Sequence, residues 1–520
     1  MRRAAAIAGA AVLASVVCAD AAASLGDYKT SARLRALARL EAEVDFVVAQ
    51  RWSRGLAVGR WQGRPFVVVA RDARLAELRA VAPELVVQRK RHVWELRAPL
   101  FVVGHATLTI AAPAVRQLRL VDLGANYATI VTYFASLRVR GLPGQRVWIR
   151  SWVPALRRPD VSLDDGRGAV SVRGSGRLDA SYATFADLGF TFGLESGVAL
   201  NGLRPETKGT GMVDHSTFTR NVFGAYTSEA KFMRFSHDAF THNLVYGLDP
   251  HDHSNWFLVD HNVAAFNGRH GIILSRFCLH DVVRHNVSER NGWNGIVIDD
   301  GRRGRIGASG FDHVYDNVVR DNGRVGISID GSNENIVANN AVSGGLTGIR
   351  VFGRATASAA GNELAGNTVS GARSAGILVA RPGSGTIVSA NRVAASLVGI
   401  AVHGAHGTLI ARSRIVRARL HGISLVGSVD TRIVGNRVSG AGPSPLYRAG
   451  AVGTLATGNV DAWNYPLPHD LARVMSEFVG PGLWALLLAA AVAGGVVRAR
   501  FARAHRASAQ PEADRGTTSA

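Results

Sequence analysis

The chain has 520 residues, of which 47% are hydrophobic, and it contains 60 lysines and arginines against 39 aspartates and glutamates. The formal charge of +21 favours a polyanionic partner, because the summed charge of a protein attracts oppositely charged ligands. Charge alone does not separate nucleic acids from other polyanions. The sequence contains no nucleic-acid-binding motif and begins with an export signal, so a nucleic acid is disfavoured.

Residues 1–23 have the organisation of a secretory signal peptide. Arg2 and Arg3 precede an apolar run at 4–17, and small residues follow at 21–23. We expect cleavage near residue 23 and therefore export. Cleavage leaves Cys278 as the only cysteine, which excludes a disulfide within one chain.

Residues 24–92 are predicted to form a small α/β cap region. The spacing of leucine and alanine from Thr30 to Phe46 predicts one helix, and alternating apolar residues around 55–69 predict strands. A region of this kind would cover the open first coil of the repeats that follow, since terminal repeats need a polar cover.

Residues 93–450 carry a repeat. Glycine followed by an aliphatic segment recurs at intervals of 22 to 31 residues, at Gly247, Gly271, Gly295, Gly326, Gly348, Gly376, Gly399 and Gly422. Asparagines precede many of these glycines by nine and by four residues. Short alternating strands separated by Asn and Gly turns predict an all-β fold, a right-handed parallel β-helix with hydrogen-bonded asparagine ladders inside. A leucine-rich repeat has the same period but would place leucine where this chain has asparagine.

His251 and Arg276 occupy nearly equivalent places in successive repeats. His251 lies four residues after Gly247, and Arg276 lies five residues after Gly271. If each repeat is one coil, both side chains lie on one edge about 5 Å apart, the spacing of hydrogen-bonded strands. A base and a cation at that separation can act on one sugar.

These residue types fit the abstraction of a proton next to a carboxylate. Such a reaction needs a cation on the carboxylate, a base near the proton, and an acid or water on the opposite face. Arg276 is the candidate cation, because guanidinium binds a carboxylate in bidentate geometry, and His251 has the natural pKa of a base. Asp249 and Asp252 would orient the imidazole or bind neighbouring hydroxyl groups.

Polar residues follow the same edge in the neighbouring repeats and predict either a saccharide-binding groove or a row of solvated turns. The candidate binding residues are Tyr246, Ser228, Glu229, Asp249, Asp252, Asp299 and Asp300. Tyr246, with Tyr226 and Trp256, could stack on sugar rings, although aromatic residues in coils more often pack against the protein.

No metal or other cofactor is predicted. Histidines are frequent around the candidate site, but they show no recurring i, i+2 or Cys-His ligand pattern. We interpret most of them as surface or ladder residues: His253, His261, His270, His280 and His285.

Residues 479–497 are predicted to form a transmembrane helix. The segment is uncharged and close to the roughly 20 residues that cross a bilayer, and four arginines follow at 498–506. Because positive flanks stay in the cytoplasm, the β-helix would lie outside the cytoplasmic membrane, joined by a linker at 451–478, with a basic tail at 498–520 inside. A buried core helix is the alternative.

Two motifs resemble those of the periplasmic mannuronan C5-epimerases of alginate-producing bacteria. They run from Tyr246 to Asp252, which includes Asp-Pro-His-Asp, and from His270 to Arg276. The resemblance implies a right-handed parallel β-helix, an anionic polysaccharide substrate and a periplasmic location. It also implies that His251 is the base and that Arg276 neutralises the uronate carboxylate.

The predicted function is C5-epimerisation of a polyuronate such as mannuronan, by proton abstraction at C5 and reprotonation from the opposite face. A lyase would share the base and the neutralising cation but would expel the 4-linked oxygen. A non-catalytic β-helix that binds polysaccharide or helps to assemble a surface complex is a third interpretation. The sequence leaves the oligomeric state open.

Overall fold

The computed structural model describes residues 30–465, apart from positions 53–54, 125, 204–205, 301–308, 355–356 and 382. Strands of successive coils pair in parallel and build three sheets, which stack as in a right-handed β-helix. The parallel β-helix predicted from the repeats is confirmed. The predicted signal peptide, transmembrane segment and basic tail lie outside the described residues. No helix within the described ranges is long and apolar enough to span a membrane.

A complete coil contributes one strand to each of three sheets, named A, B and C, and the strands are numbered along the chain. Sheet A contains β1 (Leu56–Trp61), β2 (Arg64–Val69), β6 (Leu100–Val103), β9 (Ile130–Tyr133), β13 (Val170–Arg173), β16 (Val198–Asn201), β19 (Ala225–Ser228), β22 (Leu248–His251), β25 (Ile272–Ser275), β28 (Ile296–Asp299), β31 (Val325–Asp330), β34 (Thr347–Phe352), β37 (Ala375–Ala380), β40 (Val398–His403), β43 (His421–Val426) and β46 (Ser444–Ala449). Sheet B contains β3 (Ala73–Arg74), β7 (Thr107–Ala111), β10 (Ser136–Arg140), β14 (Arg177–Ser181), β17 (Thr210–Asp214), β20 (Arg234–Ser236), β23 (Leu258–Asp260), β26 (Val282–Arg284), β29 (His313–Tyr315), β32 (Ile336–Ala338), β35 (Glu363–Ala365), β38 (Ile387–Ser389), β41 (Leu409–Ala411), β44 (Arg432–Val434) and β47 (Leu455–Thr457). Sheet C contains β4 (Val86–Lys90), β5 (Val93–Leu96), β8 (Gln117–Val121), β11 (Val147–Val153), β12 (Arg158–Pro159), β15 (Ala183–Ala186), β18 (Thr217–Thr219), β21 (Ala239–Thr241), β24 (Val263–Ala265), β27 (Val287–Glu289), β30 (Val318–Arg320), β33 (Ala341–Ser343), β36 (Thr368–Ser370), β39 (Arg392–Ala394), β42 (Arg414–Ala418), β45 (Arg437–Ala441) and β48 (Val460–Asn464). Three additional strands, β1, β4 and β12, pair antiparallel with a neighbour in their sheet.

The coils extend further at both ends than the predicted range 93–450. Parallel pairing begins with β2 on β6 and with β3 on β7. It continues to β47 and β48, which add one more coil after residue 450. At the first coil, the antiparallel pairing of β1 with β2 covers the free edge of sheet A.

Among the described residues, the two α-helices lie before and within the first coil, and a short 3-10 turn at Gly193–Glu195 lies between β15 and β16. Helix α1 (Ser31–Ala49) begins at Thr30, whose hydroxyl accepts a hydrogen bond from the backbone of Arg33, so the predicted helix is confirmed. Its apolar side packs on the outer face of the first strands of sheet A, against Phe66, Phe101 and Val131 among others. Helix α2 (Leu75–Val81) inserts leucines into the solenoid core. Helix α2 therefore closes the core, whereas α1 covers the outside of sheet A.

Ladders of asparagine stack along the solenoid interior. Asn262 Nδ2 donates to Asn286 Oδ1 at 3.0 Å, and Asn286 Nδ2 donates to Asn317 Oδ1 at 3.0 Å. Each amide also bonds a backbone carbonyl of the preceding coil, which satisfies groups that would otherwise be buried without partners. A second ladder joins Asn243, Asn267, Asn291 and Asn322. The predicted asparagine ladders are confirmed.

The recurrent glycines face the crowded interior near the start of the sheet A strands. A Cβ atom on Gly295 would lie 2.4 Å from Val319 Cγ1, and one on Gly271 would lie 2.3 Å from Ser288 Oγ. Protein interiors are close-packed, so a side chain at either position would force the coil apart. Close approach of opposite walls explains why glycine marks each repeat.

Candidate active site

The candidate site lies on the outer face of sheet A. Successive side chains of a strand point to opposite faces, so β22 directs Leu248 and Pro250 inward and Asp249 and His251 outward. Parallel register aligns His251 with Ser275 of the following coil. The same column of side chains contains Ser228, His251, Ser275 and Asp299. Ser228, His251 and Asp299, which the repeat places on one edge, therefore lie in one column of sheet A.

His251 and Arg276 meet at Asp252. His251 Nδ1 lies 2.8 Å from Asp252 Oδ2, and Arg276 Nη1 lies 3.3 Å from Asp252 Oδ1. Asp252 and Arg276 occupy equivalent places in the turns after their strands, since the Asp252 amide donates to the Ser275 carbonyl. Both have left-handed backbone conformations, with φ of 38° and 60°. The two side chains predicted to cooperate thus share one carboxylate partner.

The environment of His251 stabilises its protonated form. Burial by itself lowers the pKa of this imidazole, but Asp252 and Asp249 outweigh burial and raise the pKa above its ordinary value. The side chain is still 20% exposed. Because Nδ1 faces Asp252, Nε2 is the nitrogen that can face a substrate.

Asp249 is the buried carboxyl group of the site. It is 1% exposed, and burial raises its pKa to about 7 despite the nearby imidazole of His251. Within the described part of the chain, its Oδ1 accepts no hydrogen bond. A group with this pKa is partly protonated at neutral pH, so Asp249 is able to donate a hydrogen bond.

The other predicted binding residues line the same edge but have cationic or backbone partners of their own. Glu229, one coil before Asp252, forms an ion pair with Lys208. Asp299, one coil after Ser275, lies 2.8 Å from Arg354 Nη2. Asp300 accepts a hydrogen bond from the Ser309 amide at 3.2 Å, and burial raises its pKa to about 6. These residues extend the edge on both sides of the His251 cluster.

Tyr226 borders His251, and Tyr246 borders His270 one coil later. Tyr226 is in register with Asp249, and its ring centroid lies 5.6 Å from that of His251. Burial, with Asp249 next, raises the pKa of Tyr226, so its phenol stays protonated. Tyr246 stacks on His270 at 5.1 Å, and burial lowers the pKa of this histidine to about 3.

The remaining candidate aromatic residue, Trp256, lies in a turn ladder and stacks on His280 at 4.3 Å. His253 stacks on Phe277 at 4.5 Å. His261 and His285 belong to a further ladder at the corner between sheets B and C. The interpretation of these histidines as ladder residues agrees with the structure.

Sequence reasoning missed an ion pair further along the same face. Arg350 donates to both carboxylate oxygens of Asp330 at 2.9 Å and also to Ser328. A signal was present, because Asp330 follows Gly326 by four residues, as His251 follows Gly247.

A basic and aromatic cluster was also missed. Trp293 lies between two guanidinium groups, with Arg269 at 4.5 Å and Arg324 at 4.1 Å from its ring. These residues lie in the turns that lead into sheet A, near His270. A signal was present here too, because Arg269, Trp293 and Arg324 each lie two residues before a glycine of the repeat.

Groups with metal-ligand spacing occur in the described residues, but at a different corner from His251. Asp214, His215 and His237 form one group, and Asp260, His261 and His285 form another. Neither contains a residue of the candidate active site.

Part of the sequence aligns with mannuronan C5-epimerases from two bacteria. A mannuronan C5-epimerase of Pseudomonas aeruginosa is 28% identical over 213 residues, which is 39% of this chain and 38% of the relative. Another, of Pseudomonas syringae pv. tomato, is 26% identical over 201 residues, 37% of this chain and 35% of the relative. The chain is similar to mannuronan C5-epimerases. The resemblance drawn from the two motifs is confirmed, and the matched region spans less than two fifths of either relative.

Solved structures of a periplasmic alginate epimerase, AlgG, have the same fold. A double mutant of that protein superposes with a TM-score of 0.60 at 18% identity, covering 72% of this chain and 97% of the mutant chain. A structure of AlgG itself gives a TM-score of 0.55 at 17% identity, covering 81% of this chain and 96% of that chain. At such identities the likeness establishes the fold. Residues 246–383 and 300–442 also match a family model described as periplasmic copper-binding protein (NosD).

Proposed function

We propose that this chain is a C5-epimerase of a polyuronate of the mannuronan type. The observation that carries the proposal is the meeting of His251 and Arg276 at Asp252 on the outer face of a parallel β-helix. The similarity to mannuronan C5-epimerases supports the same reaction class.

The charges of the site suit an anionic substrate. Asp252 is balanced by His251 and Arg276, and Asp299 is balanced by Arg354. Asp249 is partly protonated because burial raises its pKa to about 7. A uronate carboxylate therefore meets few uncompensated negative charges.

In the proposed reaction, Nε2 of His251 removes the proton from C5. The electron pair of the broken C–H bond moves into the adjacent carboxylate, whose oxygens are bound by Arg276. Among the described residues, Asp252 contacts only Nη1 of Arg276, so Nε and Nη2 remain to form the bidentate pair. Water on the opposite face then donates a proton to C5, and His251 gives its own proton to solvent, where it neutralises the hydroxide that remains. The product is the C5 epimer with the chain intact.

The polymer would run along the outer face of sheet A. Tyr226 borders the base, Tyr246 stacks on His270, and a basic and aromatic patch near one side contains Arg269, Trp293 and Arg324. Aromatic faces suit sugar rings, and guanidinium groups suit uronate carboxylates. In this proposal these residues, with Ser228, bind the sugars next to the reacting one.

Export is part of the proposal. Residues 1–23 act as a signal peptide, and the segment 479–497 anchors the β-helix to the outer side of the cytoplasmic membrane, between the linker 451–478 and the basic tail 498–520. Protease added to intact spheroplasts should then remove the β-helix. Complete protection contradicts this topology.

The product test separates epimerisation from its two alternatives. Purified full-length protein is incubated with polymannuronate, and guluronate is measured by proton NMR while ultraviolet absorbance reports unsaturated sugar. The proposal requires guluronate without new absorbance. An absorbing product identifies a lyase, and binding without any product identifies a non-catalytic polysaccharide-binding protein.

A further inference from the structure

A ladder of four histidines lies at the corner between sheets B and C. His215, His237, His261 and His285 follow one another in successive coils, with ring centroids 4.6 to 5.3 Å apart. Each has a left-handed backbone conformation, which places its ring at the turn. All four side chains are 39% to 50% exposed.

Two aspartates, two coils apart, contact the imidazole rings of this ladder. Asp214 Oδ2 lies 2.7 Å from Nδ1 of His215, and Asp214 Oδ1 lies 3.4 Å from Nδ1 of His237. The carboxylate therefore reaches the same ring nitrogen on two neighbouring coils. Two Nδ1 atoms from different coils thus converge on one carboxylate.

The two carboxylate–imidazole separations, 2.7 and 3.4 Å, bracket the separation between two ligands of one metal ion. Imidazole nitrogens and carboxylate oxygens bind zinc at about 2.0–2.1 Å, so two ligands at a tetrahedral angle lie about 3.3 Å apart. The ligand atoms of Asp214, His215 and His237 all lie within 4.8 Å of one another.

We propose that Asp214, His215 and His237 bind a divalent transition-metal ion through one carboxylate oxygen and two Nδ1 atoms. Two imidazoles and one carboxylate form a ligand set that suits zinc and copper(II) rather than calcium or magnesium. Three protein ligands leave one position for water or for a carboxylate of an anionic ligand. The site is separate from the His251 cluster, which lies on the outer face of sheet A.

The equivalent group two coils later binds metal more weakly. Asp260 Oδ1 lies 2.9 Å from Nδ1 of His261 and 3.2 Å from Nδ1 of His285, which repeats the arrangement. However, Arg284 Nε also lies 3.2 Å from Asp260 Oδ1. Its positive charge opposes a cation at this carboxylate. Within the described structure, the ion pairs of Asp214 are those with the two histidines, and none involves an arginine.

The test is zinc titration of the untagged full-length protein after treatment with a chelator, followed by calorimetry. The wild type should bind one zinc ion tightly and a second more weakly. His237→Ala should weaken the tight site by at least about 10- to 100-fold, the effect of losing even an outer-shell partner. Arg284→Gln should strengthen the weak site and leave the tight site unchanged.

His242→Ala is the matched control, because His242 is an exposed histidine of the next turn that stacks on Phe266 and belongs to neither group. Circular dichroism verifies that each variant is folded. The proposal is overturned if the wild type takes up no zinc, if folded His237→Ala binds zinc as the wild type does, or if His242→Ala loses as much affinity. Copper(II) should bind more tightly than zinc, and the wild type and the variants should keep the same order of affinity.

Discussion

The middle and later coils of this solenoid have the same interior but different outer faces. Asn291 and Asn322 in the middle coils, and Asn367 and Asn391 in the later coils, form ladder hydrogen bonds of 2.9 and 3.0 Å. The column of sheet A that contains His251 continues in register through Phe352, Ala380, His403 and Val426. In the middle coils this column is polar, and in the later coils it is mostly apolar. The inward residues stabilise the coil, so the outward residues can differ from coil to coil and can form a catalytic site.

His251 and His403 show the difference most clearly. Both lie four residues after the glycine of their repeat, at the end of a sheet A strand. Carboxylates raise the pKa of His251 above its ordinary value, whereas burial alone lowers the pKa of His403 to about 4. The same residue at the same register position is thus a candidate base in one coil and a neutral side chain in another.

The largest expected effect is on turnover of polymannuronate by variants of these two histidines. His251→Gln should reduce kcat by about a hundred- to ten-thousandfold, the usual contribution of a general base. His403→Gln should leave kcat unchanged, because burial alone, without a carboxylate, governs its pKa. Similar losses in both folded variants would show that the two coils do not differ in function.

Arg276→Lys tests the role of the second residue of the candidate site. Lysine keeps the positive charge but loses the planar fork that binds a carboxylate through two hydrogen bonds, so kcat should fall while the fold is retained. Polymer binding, measured by calorimetry, should change less than kcat because neighbouring sugars supply most of the contacts. A folded Arg276→Lys variant with wild-type kcat contradicts the assigned role.

The pH dependence follows from the raised pKa of His251. The base must be neutral, so activity should be lost as pH falls through a midpoint above the ordinary value of about 6.5. Asp252→Asn removes the carboxylate that stabilises the imidazolium, and the midpoint should move to lower pH while activity at the optimum also falls. The profile of kcat/KM against pH measures both effects. An unshifted midpoint is incompatible with the proposed partnership.

The middle and later coils should lose similar stability when their asparagine ladders are changed. Asn291→Ala and Asn391→Ala each remove a buried ladder amide and leave its partners unsatisfied, so each should reduce the free energy of unfolding by about 1–3 kcal/mol. Urea denaturation followed by circular dichroism measures both. Asn339→Gly, at a turn with φ of 54°, is the control that should change little. A large loss in one region only contradicts the common interior.

The smallest expected effect concerns substrate binding. Arg324→Ala removes a guanidinium from Trp293 and should raise KM for long polymers several-fold with little change in kcat. Arg392→Ala, which removes an exposed arginine from a sheet C strand of a later coil, should leave KM unchanged. Steady-state kinetics at low ionic strength compares them, and equal effects would indicate a response to total charge alone.

The sequence predicted those features that depend on position within a repeat. The asparagine ladders, the glycine positions and the alignment of Ser228, His251 and Asp299 all follow from period and alternation. Ion pairs between turn residues of different coils depend also on turn geometry, which the period does not define. The left-handed conformations of Asp252 and Arg276 bring their side chains together, and an ion pair joins Asp299 to Arg354, far along the chain.

The position of helix α1 and the contacts of the histidine ladder also depend on tertiary packing that the sequence period does not define. The spacing of residues predicted helix α1, but only the packing of its apolar side on Phe66 and Phe101 places it outside sheet A. His215 and His237 lie in different coils, so no local ligand motif indicated that they share Asp214.

The central claim is that His251 exchanges the proton at C5 of a uronate whose carboxylate Arg276 binds. The most direct measurement incubates polymannuronate with the wild type and with folded His251→Gln in deuterium oxide, and then determines deuterium at C5 by NMR. We expect deuterium at C5 of the guluronate formed by the wild type, and none above background with His251→Gln although the variant still binds the polymer. Equal deuterium incorporation by the two proteins, or none by either, would contradict the claim.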